Sequence, residues 1–254
     1  MARFFVTKEQ ILYEEGRPAF AEIIGSDVKH MRDVLRMVPG DSFTVCDSTG
    51  MAYACELERF SDGRGNGVCR GRILSAVAGD TEPRTPVILF QGIPKGDKME
   101  LIIQKNVELG VNQIVPVRME RTVVKFGDAK DVIKKTERWN RIAMEAAKQC
   151  GRLTVPAVHA PVSLREALSL VPCGALRLVP YENERDLRLK TVLREAERPE
   201  AIAFFIGPEG GISGEEISLL QAADFCAVSL GKRILRTETA GFAVLAAIRY
   251  ELED

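Results

Sequence analysis

The sequence predicts an α/β fold with a mainly parallel sheet over residues 81–254, preceded by a small antiparallel β-barrel over residues 1–80. Three observations carry that expectation. Beyond Val87, apolar runs of strand length alternate with segments of helical period, the pattern of a parallel sheet flanked by helices. Before residue 79 the strand-like pieces are short and separated by glycine turns, as in a small barrel. Between the two regions GDTEPRTP, residues 79–86, is polar and proline-bearing, the composition of a domain boundary.

In the first region RFFV, from Arg3 to Val6, reads as a short strand and EEGRP as a turn. Val28, Met31, Val34, Leu35 and Val38 recur at helical spacing and predict a helix with one buried face, leaving His30, Arg32 and Arg36 on its other faces. Pro39, Gly40 and Asp41 end that helix. SFTVC, MAYACEL and VCRGRILSAV then read as strands, separated by DSTG and SDGRGNG.

In the second region VILFQGI is a buried strand, followed by a helix that reaches Gly110 with Leu101, Ile102, Val107 and Leu109 among its apolar positions. QIVPV is the next strand. A helix over about Thr136 to Cys150 carries Trp139, Ile142, Ala143, Ala146 and Ala147 on one side and stops at Gly151, a usual C-terminal cap. VPAVH is a strand, and SLREALSL is a helix opened by a capping box at Ser163 and Glu166. ALRLV and a helix from about Leu187 to Ala196 follow.

The stretch from Ala203 to Ala243 organises the rest. Ile202, Phe204, Phe205 and Ile206 form an apolar run that breaks at Gly207, Pro208, Glu209, Gly210 and Gly211, a buried strand ending in a bare-backbone turn. Ser213 and Glu216 form a second capping box, so a helix starts there. Ala227 to Leu230 gives another short strand, and Gly231 opens the loop KRILRTETAG, which leads into a final helix from about Thr239. In open parallel sheets, ligands gather beyond the carboxyl ends of the strands, where glycine admits close approach and helix starts present free amides. Two such loops, the second rich in Arg233, Arg236, Thr237, Glu238 and Thr239, predict a small-molecule site.

Composition narrows the classes. At 254 residues and 46% hydrophobic positions the chain holds one large core or two moderate ones. No apolar run reaches the length of a membrane helix, and the start, MARFFVTKEQ, lacks a signal-peptide core, so a cytoplasmic protein is expected. Cys46, Cys55, Cys69, Cys150, Cys173 and Cys226 include no CxxC pair, and His30 and His159 are the only histidines. These spacings predict no metal and no disulfide, with most cysteines acting as small buried hydrophobes. The net charge is −1, which argues against a surface coated throughout by nucleic acid. Residues 86–160, however, hold thirteen Lys and Arg against eight Asp and Glu, a local basic block that fits either one docking face for phosphates or a solvated helix face.

GPEGGISGEE followed by SLGKRILRTETAG resembles the C-terminal signature of the SPOUT methyltransferases, and specifically the bacterial 16S rRNA (uracil-N3) methyltransferase family. HMRDVLRMVPGD, PKGDKMELIIQKNVELGV and EAAKQCGR match in the same order, so the resemblance covers the whole layout. It implies a PUA-like RNA-recognition barrel, a SPOUT domain with a deep trefoil knot, bound S-adenosylmethionine, and a homodimer with the knot at its interface. Phe242, Leu245, Ala246 and Tyr250 of the last helix suit that pairing or ordinary packing within one chain.

By the same resemblance, Ile206, Gly207, Pro208 and Gly211 of the first loop line the cofactor pocket. So do Ser229, Leu230, Gly231, Ile234, Leu235 and Arg236 of the second, with Leu178 and Val179 from the preceding strand. Ile234 and Leu235 read equally as core side chains. Uracil N3 keeps its proton at neutral pH, so methylation there asks for a base or for a cation that steadies charge on the ring oxygens. Arg236 suits the cationic role; Glu209 suits the base, or else holds a backbone amide of its turn. RNA-contact candidates are Arg3, His30, Arg32 and Arg36 from the barrel and Arg118, Arg121, Lys125, Lys148 and Arg152 from the basic block. The substrate implied is a uridine in the 3′ decoding region of 16S rRNA within the assembled small ribosomal subunit. The competing class is an RNA-binding ribosome-assembly factor that keeps the fold without catalysis.

Overall fold

The computed structural model describes residues 2–61, 67–124 and 126–253. The chain divides into two compact units, Met1–Glu82 with Ala147–Val155, and Pro83–Ala146 with Pro156–Asp254. The division falls inside the proline-bearing segment. That Ala147–Val155 joins the first unit has no counterpart in the composition of that stretch.

In the first unit β1 (Arg3–Phe5), β2 (Ile11–Glu14), β3 (Arg17–Ile24), β4 (Ser42–Cys46), β5 (Met51–Ser61) and β6 (Val68–Ala78) form one sheet in the order β1-β4-β5-β6-β3-β2. Every neighbouring pair is antiparallel except β1 and β4, which run parallel. The β2–β3 hairpin goes beyond the strands anticipated around EEGRP. Its turn residues Glu15 and Gly16 both have positive φ, +50° and +76°, the two-residue connection whose twist matches that of the flanking strands. Phe4, Ile23, Phe43, Val45 and Leu57 fill the core, with Phe4 and Phe43 edge to face at 6.0 Å.

The helix expected over residues 28–38 is shorter. α1 (Ser26–Lys29) runs into a single π turn, His30–Val34. Val28 and Met31 are buried, but Val34, Leu35 and Val38 are exposed. Arg36 at φ +53° takes the chain out of the helical path before another turn brings Val38 to the buried side.

The second unit holds β7 (Val87–Gly92), β8 (Gln113–Arg118), β9 (Ala157–Val158), β10 (Val162–Ser163), β11 (Leu176–Pro180), β12 (Ile202–Ile206) and β13 (Cys226–Val228). Their order is β10-β8-β7-β12-β11-β13, with β9 beside β8, and every pairing is parallel. β10, two residues long, is the one strand of this sheet that the sequence pattern does not announce. The helices are α2 (Lys98–Glu108), α3 (Ala129–Cys150), α4 (Leu164–Ser169), α5 (Leu189–Glu195), α6 (Gly214–Ala222) and α7 (Thr237–Leu252). β7 and β12 are buried at every position, as central strands covered on both faces require. On one face Phe90 and Phe205 stack at 4.6 Å and share a core with Leu164 and Ala167 of α4 and Ile217 and Leu220 of α6. On the other, α7 packs on β7 and β12 and against α2 and α5. Both expected capping boxes, Ser163 with Glu166 and Ser213 with Glu216, open their helices.

Three of the six cysteines, Cys46, Cys55 and Cys69, are buried; Cys150 and Cys173 are exposed and Cys226 is half-buried. Burial, foremost, pushes the Cys55 and Cys69 thiols up to about 12, which keeps them inert. Along α7, Leu245 packs inward, whereas Ala246 and Tyr250 face solvent and Phe242 is half-buried. No helix among the described residues is long and apolar enough to cross a membrane.

Candidate functional site

The two glycine loops follow β12 and β13, and in the sheet β11 lies between those strands. Leu178 is level with Phe204 on one side and Cys226 on the other, and Val179 with Ala227, so both are fully buried under the gap between the loops. The first loop leaves β12 at Ile206. It closes on itself where the Gly211 amide donates to the Pro208 carbonyl at 2.9 Å. Pro208 is buried against the end of β7: a Cβ on Gly92 would stand 2.6 Å from both Pro208 Cδ and its backbone nitrogen. Nothing but glycine fits there. Gly92→Ala is expected to lower stability by about 1–3 kcal/mol through overpacking, read as a lower denaturation midpoint; an unchanged midpoint would show that Pro208 moves freely.

The second loop is built differently. Ser229 bridges to Arg188, its amide donating to Leu187 O at 2.7 Å and its carbonyl accepting from Leu189 N at 3.1 Å. Gly231 then sits at φ +112° with nothing within 4 Å of the place its Cβ would occupy, so open space adjoins bare backbone. Leu230 and Leu235 are half-buried, while Ile234 is 86% exposed, which removes the core reading for Ile234. Arg236 is exposed and caps α7, its carbonyl accepting from Thr239 N at 2.9 Å and Ala240 N at 2.8 Å.

Two ties join the first loop to the start of α7. Thr237 Oγ1 donates to Gly207 O at 2.7 Å and accepts from Gln91 Nε2 at 2.9 Å. Lys98 Nζ donates to Glu209 at 2.9 Å and lies 3.5 Å from Glu238. The Glu209 carboxylate also accepts from the Lys95 amide at 3.1 and 3.2 Å. Burial draws its carboxyl upward, but the bonds from Lys98, from its own backbone amide and from Lys95 outweigh it and hold it below its ordinary value. A carboxylate so occupied is a weak proton acceptor. Of the two roles read for Glu209, holding a backbone amide is the one this geometry favours, and the amides include that of Lys95 in the loop after β7. Around the same loop Arg121 Nη1 donates to Gly210 O at 2.7 Å, and Glu216, beyond its capping role, accepts from the Glu120 amide at 2.7 Å.

The basic candidates separate into groups. His30 and Arg32 on the π turn and Arg36 just after it are exposed, with Arg32 over the Phe60 ring at 5.0 Å. Arg118, the last residue of β8, and Arg121, just beyond it, are exposed. Lys125 lies outside the described residues. The other three are engaged inside the first unit. Arg3 donates to the carbonyls of Gly151 and Arg152, and Lys148 pairs with Asp27 at 2.9 Å. Arg152 is only 3% exposed and pairs with Glu82 at 2.6 Å. The basic block is thus partly structural: its C-terminal members hold the first unit together.

Sequence pattern does not mark Gln91, Gly92, Lys95 or Lys98 as site residues, and it marks Thr237 only as one of the polar residues of the second loop. A signal existed for Gln91, the one polar side chain in the otherwise apolar run VILFQGI. For Lys98, the first residue of α2, the signal was only its place in the PKGDKMELIIQKNVELGV stretch, since a surface lysine at a helix start is commonplace. Among the described residues no group of three or more His, Cys, Asp or Glu is placed to hold a metal ion.

Residues 81–249 match the family described as an RNA methyltransferase domain, and residues 16–64 the RNA methyltransferase PUA domain. The chain is 35% identical to the ribosomal RNA small subunit methyltransferase E of Bacillus subtilis, over 100% of this chain and 98% of that protein. To its namesake in Synechocystis it is 34% identical, over 99% and 78%. Among solved structures, a ribosomal RNA small subunit methyltransferase E from Neisseria gonorrhoeae bound to S-adenosyl methionine superposes with a TM-score of 0.84 at 34% identity, covering 98% of this chain and 97% of that one.

Proposed function

The chain belongs to the RNA methyltransferase family, and from that membership we propose that it methylates N3 of one uridine of 16S rRNA with S-adenosylmethionine as donor. The uridine lies in the 3′ decoding region, and the substrate is the assembled small ribosomal subunit. The observation that carries the reading is the pair of glycine loops flanking the carboxyl end of β11, with Arg236 at the end of the second.

The residues present fit the cofactor. Bare backbone at Gly207, Gly211 and Gly231, open space beside Gly231 and the exposed Ile234 offer an apolar slot edged by main chain. Ile206, Pro208, Leu178 and Val179 form its buried floor, and Ser229, Leu230, Leu235 and Arg236 its further wall. When bound, S-adenosylmethionine supplies a methyl group on a positively charged sulfonium. Arg236 steadies the negative charge that gathers on the uracil oxygens as N3 gives up its proton to solvent water. Glu209, held by Lys95 and Lys98, fixes the first loop, and alignment of N3 by these fixed groups supplies much of the rate.

His30, Arg32 and Arg36 of the PUA-like unit and Arg118 and Arg121 of the methyltransferase unit contact the RNA backbone. The reading includes the trefoil knot, which follows from the family resemblance, and a homodimer, supported by the exposed Ile234, Ala246 and Tyr250. It places the protein's work in the cytoplasm, where its substrate is. A ribosome-assembly factor without catalysis would leave the open space at Gly231 and the exposed Arg236 without use.

The test is methyl transfer from labelled S-adenosylmethionine to unmodified small subunits, followed by reverse transcription, since N3 methylation blocks Watson–Crick pairing. The expected result is a new stop at one uridine of the 3′ region. No incorporation, together with no cofactor binding by calorimetry, would leave the assembly factor as the better account.

A further inference from the structure

We propose that Thr237 is a positioning residue: its hydroxyl, aimed by Gln91, pins the Gly207 carbonyl to the start of α7 and so sets the spacing between the first glycine loop and Arg236. What the loops hold rests on the methyltransferase reading; that they are pinned rests on geometry alone.

Gln91 is fully buried and Thr237 nearly so. The two amide hydrogens of Gln91 are both committed, one to Gly92 O at 2.9 Å and one to Thr237 Oγ1 at 2.9 Å. A hydroxyl has one proton, and because Thr237 Oγ1 accepts from Gln91, that proton is left for Gly207 O at 2.7 Å. The direction of the relay is therefore fixed, from β7 through α7 to the first loop. Gln91 Oε1, without a partner, points toward Gly241 of α7, standing 3.8 Å from the place a Cβ would occupy, so the amide reaches its position because that helix offers no side chain there. Lys98, between Glu209 and Glu238, joins the same two segments a second time at the surface. Thr237 follows Arg236 directly, so a shift of Gly207 against Thr237 is a shift of the cofactor loop against the guanidinium.

The experiment compares Thr237→Val, which keeps the shape but removes the hydroxyl, with Thr237→Ser, which keeps the hydroxyl, and with Gln91→Met, which frees the hydroxyl to rotate. Two quantities are read: S-adenosylmethionine affinity by calorimetry, and exchange of the Gly211 amide in cofactor-free protein. Thr237→Val is expected to weaken binding about tenfold or more and to quicken exchange to a similar degree, because Gly207 O loses the hydroxyl and Gln91 Nε2 keeps only Gly92 O. Thr237→Ser stays within about threefold of the parent on both, and Gln91→Met falls between them. Wild-type values in Thr237→Val, or equal losses in Thr237→Ser and Thr237→Val, would overturn the proposal, the latter by assigning the effect to the methyl group. Should Thr237→Val not fold, serine and methionine variants indistinguishable from wild type would overturn it, and a loss confined to Gln91→Met would support it. If the wild type binds no S-adenosylmethionine, the cofactor reading fails while the exchange comparison still decides whether Thr237 pins the loop.

Discussion

Arg236→Ala is expected to slow methyl transfer about a hundredfold or more while leaving the fold intact, the usual cost of removing one preorganised group from developing negative charge. The guanidinium is exposed and makes no hydrogen bond or ion pair among the described residues, so truncation leaves no buried group unmatched. The capping of α7 uses the Arg236 carbonyl, which alanine retains. The denaturation midpoint should therefore stay put, and single-turnover rates should fall far more than cofactor affinity. Activity within about threefold of wild type would remove Arg236 from the chemistry and return attention to the cations beside the first loop, Arg121 and Lys98.

The second large effect concerns stability. Arg152→Ala is expected to cost the first unit about 3–5 kcal/mol, the range for breaking a buried ion pair from one side. Glu82 accepts from Arg152 Nη2 at 2.6 Å and Nε at 3.2 Å, from the amides of Leu153 and Thr154, and from the Thr154 hydroxyl. Burial raises the Glu82 carboxyl, but Arg152 and Thr154 outweigh it and the net shift is downward. A carboxyl lowered on folding adds stability above its unfolded pKa, about 4.3 for glutamate, and that stability is lost as pH falls through the lower folded value. Denaturant unfolding of wild type and Arg152→Ala should thus differ most near neutral pH and converge in acid. A constant gap down to strong acid would mean that lost packing, not the ion pair, carries the cost.

Legibility in the sequence followed how local the cause was. Capping boxes at Ser163 and Ser213 are written within four residues and were readable, as were β7 and β12, whose unbroken apolar runs mark strands covered on both faces. The helix after Ser26 failed because one residue, Arg36, leaves the helical path, and periodicity carries no trace of a single positive φ. The loops themselves were readable from glycine. What fixes them was not, because Gln91 and Lys98 act on partners far along the chain. The same distance explains Arg152, whose charge looked available for RNA and is spent on a carboxylate from the boundary segment.

The strand order has a consequence for synthesis. β7 leaves the ribosome early, yet its neighbour β12 arrives only with residues 202–206, and Gln91 waits for a threonine 146 positions later. The first unit waits too, since Arg3 bonds to carbonyls 148 and 149 residues downstream. Such distant pairing delays folding, because loop closure precedes its reward. A nascent or truncated chain ending before residue 202 lacks the strand that separates β7 from β11, and it shows solvent the aromatic side of Phe90 that Phe205 otherwise covers. Such a fragment is a client for chaperones, not a smaller enzyme.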